Sequence, residues 1–403
     1  MERGPNMENF TYYTPTKVLF GKDMENRTGE CVREFGGSKV LMVYGGGSAV
    51  KSGLLDRIGS SLKEAGIPYV LLGGVQPNPR LSKVYEGIEL GKKEGADFLL
   101  AVGGGSVIDT SKAIAYGIAN PDIDVWDIYS SKFIPKKCAP IGTVLTIAAA
   151  GSEMSSSSVI TNEKGWIKVG KSFDICRPKF SVMDPVLTYT LPPYQTASGL
   201  SDIMMHTMER YFHNKKAAEI TDGITEALLK DVMASAKIVM KDPTDYDARA
   251  EIMWCGALSH NGLTNCGGTN GDWSVHQLEH ELSGLYDVAH GAGLTAVWGS
   301  WARYVLDTNP KRFAQYAIRI MDVVPAEDQD DTEIAMAGIK ATEDFFRSVG
   351  MPTSLTELGV HPTEEEFKTL SVKCTFNHTR TIGNDGIRSL DENDIERIYR
   401  MAL

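Results

Sequence analysis

No Cys-x-x-Cys pair and no zinc-ribbon spacing occur among the six cysteines, Cys31, Cys138, Cys176, Cys255, Cys266 and Cys374. That argues against a cysteine-built zinc site and favours reduced, mostly buried thiols in a reducing compartment over a disulfide scaffold. No apolar run approaches the length that spans a bilayer, and the opening residues, Met1 to Met7, have no signal-peptide core, so a cytoplasmic location is expected. Basic residues are in deficit: 41 Lys and Arg stand against 52 Asp and Glu, a formal charge of -11, which argues against nucleic acid or an anionic membrane as partner. The dinucleotide fingerprint Gly-x-Gly-x-x-Gly is missing. Histidine is scarce, with eight in 403 residues, so any clustering of it carries weight.

What is present describes a globular chain, with 42% hydrophobic and 23% charged residues and a length that suggests two domains. In the first half short apolar runs, Lys39 to Tyr44, Pro68 to Leu72, Phe98 to Val102 and Pro140 to Thr146, alternate with amphipathic stretches such as Gly53 to Ala65 and Leu81 to Leu90. Alternating strand and helix signals predict a parallel, helix-flanked sheet. After about residue 195 the strand signals fade and helical patterns dominate, as in Ala217 to Leu229, where Ile220, Ile224, Ala227 and Leu228 are expected on the buried face. The expected division is therefore an α/β domain over residues 7–195 and a helical domain over 196–403.

Two Gly-Gly-Gly-Ser sequences each follow an expected strand and precede a helix: Gly45, Gly46, Gly47 and Ser48, and Gly103, Gly104, Gly105 and Ser106. Glycine lets the backbone approach an anion, and the free N–H groups of a helix start favour negative charge, so such loops suit a pyrophosphate. The bland alternative is a tight strand-to-helix turn, but two such loops at the same strand ends of one sheet favour nucleotide binding. Asp109 and Lys112 follow the second loop, where they could face a ribose or cap and decorate a helix. A third small, hydroxyl-rich segment, Thr146 to Ser158, either lines a nicotinamide-ribose pocket or is a polar surface loop.

Half of the histidines fall in two tracts. The first runs from Asp184 to His206 and places Asp202 one helical turn before His206; the second, Trp273 to His290, contains His276, His280 and His290. Residues at i and i+4 share a helix face, so Asp202 and His206 can present oxygen and nitrogen to one point. Mixed O/N ligands fit Fe2+ or Zn2+ better than calcium or magnesium. Spacing alone does not choose between His276 and His280, and a satisfied core Asp-His pair with helix-face histidines is the structural alternative.

Together these features resemble the iron-dependent alcohol dehydrogenase family, and the paired glycine loops resemble its butanol-dehydrogenase-like branch. The resemblance extends from about Phe10 to the end. Its most specific parts are Pro192, Ala197, Gly199, Asp202 and Glu209 in one tract and His276, His280, His290 and Gly291 in the other. It implies an α/β domain with a parallel Rossmann-like sheet followed by an all-α domain, the dehydroquinate synthase-like architecture. It makes Asp202, His206, His276 and His290 the metal ligands, with Fe2+ favoured over Zn2+, and leaves His280 beside nicotinamide and substrate as a proton relay. Gly103, Gly104, Gly105, Ser106 and Asp109 match the family's pyrophosphate loop, and Thr146, Ser152 and Lys168 match positions lining the cofactor. Ala150 departs from the threonine that relatives often carry there. The implied activity is hydride transfer between NADP(H) and a primary alcohol/aldehyde pair, in a homodimer. NADP(H) is preferred to NAD(H) because no acid follows the strand ending at Tyr44 until Asp56, while Ser48 and Lys51 are at hand for a 2′-phosphate. A dehydroquinate-synthase-like lyase, a non-redox metal hydrolase and a structural metal-binding protein are the rivals. The first would need basic residues that are sparse around the histidines; the second would show no absorbance change with nicotinamide cofactor and aldehyde; the third would bind no nucleotide.

Overall fold

The four apolar runs of the first half are strands of one sheet, because each is apolar without alternation and can be covered on both faces. The structure, a computed structural model, describes residues 7–215 and 218–403. Among these residues the strands are β1 (Lys17–Phe20), β2 (Val40–Tyr44), β3 (Tyr69–Leu72), β4 (Phe98–Gly103), β5 (Ile141–Leu145), β6 (Ser157–Asn162), β7 (Ile167–Ser172) and β8 (Phe180–Met183). Six of them form a parallel sheet in the order β1-β8-β5-β4-β2-β3, while β6 and β7 pair antiparallel as a separate hairpin. Hydrophobic patterning does not mark the outlying β1 and β8 or the hairpin, since each is short and the hairpin mixes polar and apolar residues on both faces. Phe180 stacks between Phe35 and Phe98, at 6.1 and 6.0 Å, and the core continues through Val40, Met42, Leu100, Val144 and Val182 to Ile58 and Leu62 of the Leu54–Glu64 helix.

The chain forms two compact units. One takes Tyr13–Leu191 with Thr244–Asn261; the other takes Pro192–Pro243 and Gly262–Leu403, with the described residues before Tyr13. The Tyr246–His260 helix thus belongs with the sheet, although it lies in the helical half of the sequence. Periodicity reports that a segment is helical and does not say which unit it packs on.

The Glu219–Val239 helix corrects the expected buried face. Ile220 is 70% exposed and Ala227 is also exposed, while Thr221, Asp222, Thr225, Leu228, Leu229 and Val232 are buried; Ala217 lies outside the described residues. The cause is an ion pair: Asp222 receives Arg312 bidentately, and Arg312 also donates through Nε to Tyr211 O at 2.8 Å. A buried charge with its partner outcompetes an isoleucine for the inner face.

Candidate active site

β2 and β4 are neighbours, and the chain leaves β2 toward β3 on one side and returns to β4 on the other. Their carboxyl ends therefore flank a topological switch point, where open α/β sheets hold ligands. Both Gly-Gly-Gly-Ser loops sit there. Gly103 and Gly104 are required by packing: an added Cβ would stand 2.5 Å from Val107 and 2.1 Å from Ile147. Gly46 is different, with open space around an added Cβ and no left-handed φ, so the fold itself does not need glycine there. The Lys51 stem lies beside Gly47, and Ser48 begins a short helix exposed to solvent. The loop after β5 lies against the second glycine loop, through Thr146 N–H to Gly103 O at 3.1 Å and through Ala150, whose Cβ lies 3.1 Å from one added at Gly105.

Lys112 neither faces outward nor decorates a helix. It is fully buried, and its Nζ donates to the carbonyls of Ser152 (2.8 Å), Ser155 (3.0 Å) and Ser157 (2.7 Å) and to Ser152 Oγ (2.9 Å). Ser152 Oγ in turn donates to Asp109 Oδ1 at 2.6 Å, and Asp109 Oδ2 accepts from Val159 N at 2.9 Å. Asp109 and Ser152 are thus members of the network that shapes the hydroxyl-rich segment. Lys168, on β7, donates to Asn78 Oδ1 at 3.0 Å.

In the other unit, Pro193 opens the Pro193–Tyr211 helix at a position where its missing N–H costs nothing, and Asp202 and His206 stand one turn apart inside it. The Ser274–Tyr286 helix starts after Trp273, whose φ of 60° and side chain supply no cap. Glu209 of the Pro193–Tyr211 helix caps it instead: Oε1 accepts from Val275 N at 2.8 Å and His276 N at 3.1 Å, while Oε2 faces His276 Nδ1. His290 is the first residue of the His290–Val305 helix. A Cβ on the adjacent Gly291 would lie 2.0 Å from Ser198 O, so glycine is what lets this helix approach the one carrying Asp202.

The result is convergence on one carboxylate oxygen. Asp202 Oδ1 lies 3.5 Å from His276 Nε2 and 3.7 Å from His290 Nε2. These three residues form a group able to hold a metal ion, and His206 stands beside it, its ring centroid 4.4 Å from that of His276. His206 Nδ1 is 3.0 Å from both Asp202 Oδ1 and Asp202 O, and its N–H is directed at the carbonyl. Asp202 Oδ1 and His276 Nε2 are both buried without a hydrogen-bond partner. Ligands about 2.1 Å from a tetrahedral ion stand roughly 3.4 Å apart, close to the separations found. Orphaned oxygen and nitrogen at that spacing fit a cation.

The local field agrees. Burial opposes charge on Asp202, but the rings of His206 and His290 outweigh it and hold the carboxyl well below its ordinary range. Burial pushes His206 down to about 4, with Asp202 pulling the other way. At His276 burial is outweighed by Glu209 and Asp202, which raise the ring to about 9. His280 lies one turn beyond His276, its ring centroid 6.5 Å from that of His276 and 6.0 Å from that of His290, outside the three-residue group.

Two buried carboxylates complete the arrangement. Glu209 stands behind His276, and Glu279, fully buried, stands behind His290 with Oε2 against Nδ1. Carboxylates of this kind fix the tautomer and orientation of a metal-ligating histidine. Sequence reading gave neither a role, although Glu209 follows Asp202 and His206 at i+7 and i+3, on the same helix face, and Glu279 follows His276 at i+3.

The family model for iron-containing alcohol dehydrogenase matches residues 15–185, and that for the C-terminal region of the Fe-containing alcohol dehydrogenase family matches residues 196–403. The chain is 42% identical over 397 residues to the probable NADH-dependent butanol dehydrogenase 1 of Bacillus subtilis strain 168, covering 98% of this chain and 100% of that protein. It is 36% identical over 357 residues to the NADPH-dependent aldehyde reductase YqhD of Escherichia coli K12, covering 88% and 90%. The crystal structure of NADH-dependent butanol dehydrogenase A from Thermotoga maritima matches with a TM-score of 0.93 at 38% identity, covering 98% of this chain and 99% of that one. The parallel sheet followed by helices is accordingly the dehydroquinate synthase-like fold these enzymes share. The chain belongs to the iron-containing alcohol dehydrogenase family.

Proposed function

We propose that this enzyme reduces aldehydes to primary alcohols, transferring hydride from a reduced nicotinamide cofactor with the help of a divalent metal, Fe2+ before Zn2+. The observation that carries the reading is the pair of orphaned atoms, Asp202 Oδ1 and His276 Nε2, buried 3.5 Å apart, with His290 Nε2 3.7 Å from the same carboxylate oxygen. Asp202, His206, His276 and His290 would hold the ion, His206 through Nε2, since its Nδ1 is directed at its own helix. An ion bound there supplies Lewis acidity toward the substrate oxygen. Glu209 and Glu279 keep Nδ1 of His276 and His290 occupied, so that Nε2 of each faces Asp202. His280, one turn from His276, is assigned the relay of the proton that the alcohol oxygen takes up. Gly45, Gly46, Gly47 and Ser48 with Gly103, Gly104, Gly105 and Ser106 cradle the phosphates, and Thr146 and Lys168 line the cofactor beside the network of Asp109 and Ser152. A homodimer in the cytoplasm completes the reading; six cysteines without a disulfide suit a reducing compartment.

Replacing His290 with Ala should remove metal and turnover together, whereas His280→Ala should slow turnover at full metal content. Metal analysis beside steady-state rates checks both, and a metal-free His280→Ala protein would make that histidine a ligand.

NADP(H) is the proposed cofactor, because Gly46 to Ser48 and Lys51 offer N–H groups, a hydroxyl and a cation with no acid before Asp56. The names of the Bacillus and Thermotoga relatives favour NADH as the second reading. Gly46 has space for a side chain, so Gly46→Asp should turn preference toward NAD(H) by repelling a 2′-phosphate. Comparing kcat/KM for NADPH and NADH with one aldehyde decides between them: equal or better use of NADH by the unmodified enzyme rejects the NADP(H) reading.

A further inference from the structure

The carboxylates behind His276 and His290 do different work. Glu209 bonds two backbone amides as well as a ring, and so helps to start a helix. Glu279 sits between a ring and a hydroxyl: Oε2 meets His290 Nδ1, and Oε1 accepts from Ser283 Oγ. Ser283 Oγ is also 3.3 Å from Val288 O, in the turn that leads to His290. Gly293 makes the room, since a Cβ there would stand 2.9 Å from Glu279 Cγ. The histidine so held is the least enclosed member of the group. The His290 side chain is 28% exposed, against 5% for Asp202 and 6% for His276, and it follows Asp287, whose φ is 52°.

We infer that Glu279 is a positioning residue that controls how readily the metal leaves, by holding His290 with its Nε2 turned to Asp202. The inference rests on the proposed ligand set. An Nδ1–H bonded to a carboxylate fixes the tautomer that leaves Nε2 as the ligating atom and raises the basicity of the ring. With Glu279 gone, the partly exposed ring loses the hydrogen bond that fixes its tautomer and its orientation toward Asp202, and the ion depends more on the deeply buried ligands.

The test follows loss of Zn2+, which does not change oxidation state, from the loaded enzyme to an excess of chelator, for wild type, Glu279→Gln and Glu279→Ala. Glutamine keeps an acceptor for His290 without the charge, so the expected order of release is wild type, then Glu279→Gln, then Glu279→Ala, the last about 10- to 100-fold faster than wild type. The melting temperature of metal-stripped Glu279→Gln should match that of stripped wild type. If Glu279→Ala does not fold, Glu279→Gln decides. Release at the wild-type rate overturns the inference, and so does faster release accompanied by a lower melting temperature of the stripped protein, which would make the role purely structural. His290→Ala, run in parallel, separates the two levels: if it retains wild-type Zn2+, the ligand assignment itself fails.

Discussion

Glu153 follows Ser152 in the hydroxyl-rich segment and is 2% exposed, so its carboxylate has little water to solvate a charge. Burial raises its pKa from 4.5 to about 7, with the buried Lys112 pulling the other way. Between those values the folded chain keeps a proton that the unfolded chain has released, so stability falls as pH rises through that window and levels off above 7. Glu153→Gln cannot ionise. It should melt like wild type near pH 4.5 and be more stable than wild type at pH 8, by up to about 3 kcal/mol. Melting curves at the two pH values check this; equal melting temperatures at pH 8 would mean that Glu153 carries its charge at no cost. At this scale the sequence was readable where chemistry is rare, as with Asp202 beside His206. It was silent about Lys112, because nothing in a Lys codes for burial until three serine carbonyls are seen around it.

At the scale of elements, the Glu219–Val239 helix shows what hydrophobic spacing leaves out. Counting isoleucines put Ile220 inside; the buried pair of Asp222 and Arg312 turned it outward. Arg312 also lies over the Tyr211 ring, 3.7 Å from its centroid, at the end of the helix that carries Asp202. Asp222→Ala would leave that guanidinium buried without its carboxylate, a loss of roughly 3 to 5 kcal/mol. Thermal or denaturant unfolding measures it, and a loss under about 1 kcal/mol would show that Tyr211 O and water suffice for Arg312. Glycine loops were legible because they interrupt the periodic pattern at strand ends. The cap of the Ser274–Tyr286 helix was legible only in its local part: Asp272 accepts from Ser274 N, but the amides of Val275 and His276 go to Glu209, 65 residues before the helix begins, which local capping patterns cannot report.

Over the whole molecule, alternating strand and helix signals were enough for a parallel sheet followed by helices, whereas strand order and the placement of the Tyr246–His260 helix depend on contacts distant in sequence. No helix among the described residues is long and apolar enough to cross a membrane. The proposed chemistry is a hydride transfer that depends on a bound metal. Its most direct test follows the absorbance of reduced nicotinamide with butanal and enzyme that has been stripped of metal, then reloaded anaerobically with Fe2+. Aldehyde-dependent oxidation of the cofactor should vanish on stripping and return on reloading; undiminished oxidation by the stripped enzyme, or none by the reloaded one, would rule out metal-dependent transfer.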